Sequence, residues 1–237
     1  MDERIPPFRT GIKKKRSSSP IIFVFVLLFF MGILLVLFLK SPLSQIESIE
    51  IQGNKLVSES ELRQVIQVNV GDSYFFVDED QIESALEQRN VVHEAEVKKS
   101  FPHELKIRIT EKPVIGVYLD KDQQFLLFSD GTRMSNYKKI QEMDEHTIFE
   151  GWKSKDPLLK QVVTEWVKLP SEIKNQVLRV KPRTNQEDQV EIKTKKNHTI
   201  YVRANDLSHK MRLYPSFYEH DEGTVNLLES IWFTPAE

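Results

Sequence analysis

Residues able to do chemistry are few and dispersed along these 237 positions. There is no cysteine, which excludes disulfides, thiolate metal sites and cysteine nucleophiles. The six histidines, His93, His103, His146, His198, His209 and His220, have neither the i,i+4 nor the H-x-x-E spacing of a helical metal site, and solvated surface positions are expected for them. No glycine-rich phosphate loop occurs. Ser171-Glu-Ile-Lys174 spells S-x-x-K, the spacing that pairs a serine nucleophile with a lysine base. Its context is wrong for that chemistry, because no S-D-N element accompanies it and Lys193-Thr-Lys195 is not K-T-G. Asn197-His-Thr199 is a glycosylation sequon, irrelevant in a bacterial cell. Catalytic, cofactor and metal sites are therefore all expected to be none.

What remains is binding surface. Thr224 to Phe233 reads as one final strand, with Val225, Leu227, Glu229 and Ile231 on one face and Asn226, Leu228, Ser230 and Trp232 on the other, Phe233 following. A terminal strand so rich in large apolar groups is either core on both faces or a docking edge whose bare backbone groups accept a partner's strand. The docking reading makes Val225 to Phe233 the partner-binding residues. Tyr214-Pro215 is a candidate conformational switch, since an aromatic residue before proline raises cis occupancy and the isomers exchange over tens of seconds or longer.

These residues hang from an anchor near the N-terminus. Ile21 to Leu39 carries no charge, no proline and one glycine, and as a helix spans roughly 28 Å, the thickness of a bilayer core. The run is longer than a signal-peptide core and no A-x-A-like site follows it, so an uncleaved anchor over residues 20–40 is expected. Before it, Arg4, Arg9, Lys13, Lys14, Lys15 and Arg16 face only Asp2 and Glu3, which puts residues 1–19 on the cytoplasmic side by the positive-inside rule. That tail has too little apolar content to fold. From Ser41 onward acidic residues outnumber basic ones, and this part is expected outside the membrane.

The exported chain reads as two units. In the first, residues 43–112, Ser48 to Ile51 alternates and stops at Gly53-Asn54. Ser58-Glu-Ser-Glu61 is a capping box for a helix carrying Leu62, Val65 and Ile66 and ending at Gly71. A second helix opens at Asp78 with Ile82, Ala85 and Leu86. Ala95, Val97 and Lys99, then Leu105, Ile107 and Ile109, alternate as a hairpin with one wet face. The order is strand, helix, helix, strand, strand. In the second unit, residues 113–233 with a short end at 234–237, strands are expected at Val114 to Leu119, Gln124 to Ser129, Thr132 to Met134, Val177 to Val180, Gln189 to Ile192 and Thr199 to Arg203. Asp156-Pro157 opens a helix with the stripe Leu158, Leu159, Val162, Val163, Trp166 and Val167, and Asp206 caps another through Phe217, bent or ended by Pro215. Mixed strands with two helices on one face form an α+β layer.

The wording of these segments carries a resemblance. Ser48-Ile-Glu-Ile-Gln-Gly-Asn54, Val92-His-Glu-Ala-Glu-Val-Lys-Lys-Ser-Phe-Pro102 and Leu105-Lys-Ile-Arg-Ile-Thr-Glu-Lys-Pro-Val114 resemble the POTRA domain of the DivIB/FtsQ cell-division family. Phe128-Ser-Asp-Gly-Thr132 and Ser208-His-Lys-Met-Arg-Leu-Tyr-Pro-Ser216 extend the likeness. Two departures stand out: Asn226 occupies an acidic position of the "G-x-I-D-L" strand, and Lys193 to Asn197 lacks a hairpin glycine. The resemblance implies a single-pass membrane protein at the division septum, with no enzymatic activity and no nucleic-acid partner. It also implies partners with coiled-coil ectodomains of the DivIC and FtsL types, together with the septal penicillin-binding transpeptidase, met through the terminal strand. The fold it implies is α+β: one transmembrane helix, a β-α-α-β-β POTRA domain, and a second mixed domain ending in an exposed strand. Two other functions stay open at this point, a membrane-anchored wall-modifying enzyme and a POTRA-type chaperone for exported chains.

Overall fold

The computed structural model describes residues 20–135, 146–153 and 156–236. The unfolded tail expected at residues 1–19 lies outside them. Pro20–Leu39 is one helix, α1, long and apolar enough to cross a membrane, with none of its side chains buried in the protein. It is apolar on every side, as a lipid-facing helix must be.

The first unit follows the expected order. Strand β1 (Ser48–Gln52) pairs in parallel with β3 (Glu104–Glu111), which pairs antiparallel with β2 (Val92–Ser100). Two helices, α2 (Glu59–Ile66) and α3 (Glu79–Glu87), precede the hairpin. Ser58 and Glu61 form the reciprocal capping box, and the Asp78 side chain accepts from the Gln81 amide. Leu62, Ile66, Ile82 and Leu86 from the helices meet Ala95, Val97, Leu105, Ile107 and Ile109 from the sheet in one core. Helix α2 ends at Ile66 rather than at Gly71, because Gln67 takes the left-handed conformation, φ 54°. Gly53 (φ 89°) is required by space as well as by φ, since a Cβ there would lie 2.1 Å from the Ile109 carbonyl oxygen. The Glu111 carboxylate then accepts from the Lys55, Leu56 and Val57 amides and fixes the turn that leaves β1.

The second unit is a nine-stranded sheet in the order β12-β11-β10-β9-β8-β7-β4-β5-β6. The strands are β4 (Val114–Asp120), β5 (Gln123–Phe128), β6 (Arg133–Met134), β7 (Ile148–Glu150), β8 (Val177–Pro182), β9 (Gln189–Thr194), β10 (His198–Arg203), β11 (Gly223–Leu227) and β12 (Ile231–Pro235). Helix α4 (Pro157–Val167) sets Leu158, Leu159, Val162, Val163 and Trp166 into the core, with Phe149 edge-on to Trp166 at 5.4 Å. Val167, expected in that stripe, is 44 % exposed. The short helices α5 (Ser171–Lys174) and α6 (Leu207–Lys210) follow, α6 lying between two 3-10 segments, Ala204–Asp206 and Met211–Phe217.

Strands β4 and β5 have no wet face. Tyr118 and Leu127 point into the second core, while Val117, Leu126 and Phe128 join the core of the first unit. The uninterrupted run Phe125-Leu-Leu-Phe128 is the sequence of a strand buried on both sides. The two units therefore meet through apolar packing rather than through a free linker.

Candidate partner-binding site

The terminal segment departs from the expected single strand. It is a hairpin: β11 ends at Leu227, residues 228–230 turn, and β12 returns antiparallel with Leu227 opposite Ile231 and Gly223 opposite Pro235. The turn is nucleated at Asn226, whose Oδ1 accepts from the Leu228 amide at 3.1 Å. An aspartate could accept in the same way, so the asparagine noted above keeps the turn. Similarly, Asn197 sits at φ 58° in the β9–β10 connection, where a glycine was missed.

The hairpin separates the predicted residues. Val225 and Leu227 are fully buried in the second core and offer no side chain to a partner, which corrects the two-faced strand drawn from sequence. Glu229 and Ser230 are exposed turn residues, and Asn226 and Leu228 are half-buried. Ile231 and Trp232, 45 % and 48 % exposed, lie on β12 at the end of the sheet. Phe233 is half-buried, its ring packed against His220 at 4.6 Å and His198 at 5.7 Å.

Among the described residues β12 has no neighbour on its outer side. The Ala236 amide donates to the Glu222 carbonyl at 2.9 Å. Since hydrogen-bonded pairs alternate along an antiparallel ladder, Trp232 and Thr234 direct their backbone groups at β11, and Ile231 and Phe233 direct theirs outward. Pro235 falls on the outward-facing parity, where its missing N–H interrupts nothing.

Among the described residues the other edges differ from it. The Ala95, Val97 and Lys99 amides on the free side of β2 donate to Glu87, Glu83 and Glu79, at 3.3, 2.7 and 2.9 Å. These glutamates recur every fourth residue along α3, so one helix face supplies all three acceptors. On β1, the Ile49 carbonyl accepts from the Arg63 guanidinium. The edge of the three-stranded sheet is thus sealed at β2. At the far end of the large sheet, β6 is two residues long.

Beneath the hairpin lies a buried polar relay that the sequence reading missed. His198 was expected at the surface and is fully buried. Its Nε2 is 2.9 Å from the Asp221 carbonyl and 3.2 Å from that of His220; carbonyls only accept, so Nε2 carries a hydrogen. Nδ1 is 3.0 Å from the Tyr214 hydroxyl, which also bonds Thr194 Oγ1 at 2.8 Å. Burial pushes the Tyr214 phenol above its usual range, offset in part by the Thr194 bond. The Tyr214-Pro215 peptide is trans. The relay joins the 3-10 segment carrying Tyr214 to the residues that launch β11.

The S-x-x-K pair does not assemble. Lys174 Nζ donates to the Val167 carbonyl at 3.0 Å, and burial lowers its pKa. Among the described residues no hydrogen bond joins it to Ser171, and no cluster of histidine and carboxylate side chains could hold a metal ion.

Comparison with known proteins finds relatives of these elements. Residues 44–112 match the model described as "POTRA domain, FtsQ-type". The chain is similar to the cell division protein DivIB of Bacillus subtilis, 25 % identical with 98 % of this chain and 89 % of that protein covered. With DivIB of Listeria monocytogenes the identity is 26 %, over 91 % of this chain and 80 % of the relative. The chain is thus similar to DivIB cell division proteins over nearly its whole length, with an FtsQ-type POTRA domain at residues 44–112. A solved extracytoplasmic domain of DivIB from Geobacillus stearothermophilus, in its trans isomer, aligns over 45 % of this chain and 91 % of its own, with a TM-score of 0.38 and 18 % identity. Within the FtsQ-type POTRA domain, the glycine of the G-N turn and the glutamate of the closing strand are Gly53 and Glu111, which together shape the exit from β1.

Proposed function

We propose that this protein is a membrane-tethered, non-catalytic scaffold of the bacterial division machinery that captures a partner's strand along β12. The observation that carries the proposal is the contrast between edges. β12 offers the outward backbone groups of Ile231 and Phe233 beside the exposed side chains of Ile231 and Trp232, whereas the β2 edge is occupied by glutamates. Strand addition at such an edge draws affinity from main-chain bonds and selectivity from the flanking side chains. The relatives are named as cell division proteins, and the partners in this proposal are those the resemblance implies, of the DivIC and FtsL types and the septal transpeptidase. In this reading α1 anchors the chain with its N-terminus cytoplasmic and its sheets outside, at the septum. Confinement to the membrane raises effective concentration, so weak contacts suffice.

Ile231→Pro tests this directly. It removes an outward amide without touching the β11 ladder, and a bound strand left with an unpaired carbonyl loses about 1–3 kcal/mol, or on the order of tenfold or more in affinity. Co-purification from membranes should fall accordingly while the circular dichroism of the full chain in detergent is unchanged; undiminished capture rejects strand addition at β12. As part of the same proposal, exchange about Tyr214-Pro215 would move Tyr214 against the relay and loosen the hairpin. A second set of amide resonances around Pro215, absent in Pro215→Ala, is the expected signature, and one set in the native chain removes it.

A further inference from the structure

The geometry points to a second membrane contact: we infer that the rim of the POTRA domain nearest α1 sits in the bilayer interface. This rests on α1 spanning the membrane. Phe38, in the last turn of α1, meets Phe75 with ring centroids 5.7 Å apart. From there an aromatic row continues, Phe75 to Tyr74 at 5.6 Å, Tyr74 to His103 at 5.5 Å and His103 to Phe101 at 6.5 Å. It begins inside the hydrocarbon-facing helix and ends on a phenylalanine that is 91 % exposed.

The row is held at membrane level by the link that follows α1. Ser44 Oγ donates to the Leu39 carbonyl at 2.6 Å, the Ile46 amide to Asp72 at 2.8 Å and the Glu47 amide to His103 at 2.9 Å. Both rim loops are therefore hydrogen-bonded to the residues leaving the membrane. On the same rim Phe76 is 75 % and Leu43 64 % exposed, and neither belongs to the POTRA core. Side chains this apolar, continuous with a membrane-spanning helix, match the interfacial belt in which aromatic residues collect. The occupant is the outer-leaflet interface. Seating there fixes the height and tilt at which the domain, and with it β12, faces its neighbours.

The absence of cysteine makes the test clean. Single variants Phe101→Cys, Phe76→Cys, Leu28→Cys and Leu178→Cys of the full chain, each labelled with an environment-sensitive fluorophore, are placed in phosphatidylcholine nanodiscs holding nitroxide lipids of shallow or deep label position. The labels at 101 and 76 are expected to lose most of their emission to the shallow nitroxide, the label at 28 to the deep one, and the label at 178, on β8, to neither. Quenching at 28 with labels at 101 and 76 behaving like 178 overturns the seating and leaves the span intact. No quenching at 28 overturns the span and the seating with it. Labels at 101 and 76 shielded only when another protein is added would assign the rim to that protein instead, and overturn the proposal.

Discussion

Gly223→Ala is expected to detach the last strand. A Cβ at this position would stand 2.4 Å from the Thr234 carbonyl oxygen and 2.6 Å from Cζ of Phe233. The carbonyl is backbone of β12 itself, and the Phe233 ring is wedged between His198 and His220, so neither can yield alone. The nearest available response is for β12 to lift from β11. Overpacking of this kind costs about 1–3 kcal/mol, enough to open a two-stranded margin while the rest of the sheet holds. Limited proteolysis should cut near residues 228–236 in the variant and spare the native chain. Partner capture should fall with it. Resistance to protease equal to the native chain would mean the space is made some other way.

The second large effect separates two neighbouring substitutions. Leu227→Lys places an ammonium in the core that also holds Val225, Ile200 and Tyr214, all fully buried. An unpaired buried charge costs several kcal/mol, a large part of the 5–15 kcal/mol that holds a typical domain together. The second unit should melt at a much lower temperature or fail to fold. Trp232→Lys, at a half-exposed edge position, keeps its charge in water and should shift stability by no more than about 0.5 kcal/mol. Thermal melts of the two variants side by side decide the matter: similar losses would show that β12 is core rather than margin. The comparison also matters for binding work, because lost capture in Leu227→Lys would report unfolding, not an interface.

The elements with a strong period were legible in sequence. The capping box at Ser58, the alternation of Leu105, Ile107 and Ile109 and the stripe on α4 each appear where local pattern and tertiary burial agree. The misses share a physical cause, which is that pairing partners are not written locally. β7 is three residues inserted in parallel between β4 and β8, too short for any period to show. The helix expected from Asp206 to Phe217 breaks into 3-10 and α pieces, Asp206 makes no side-chain cap, and Pro215 supplies no amide for an α-helical bond. His198 looked like any histidine on a polar stretch; only the fold brings Tyr214 and the 220–221 carbonyls to it. Two signals were there to be used. Asn226 followed three residues later by Glu229-Ser230 marks a turn inside the supposed strand, and Glu79, Glu83 and Glu87 repeat at helical spacing just ahead of β2.

Those three glutamates bear on what the molecule cannot build. A chain that propagates by strand exchange needs two sticky margins, one to receive and one to give. Here the carboxylates of α3 satisfy the Ala95, Val97 and Lys99 amides of β2, and among the described residues the large sheet ends at its far side in a strand of two residues. Under the proposed strand capture at β12, neither the glutamate-bound β2 nor the two-residue β6 is suited to hand a strand on, which favours ending a row of strands over extending it into a filament.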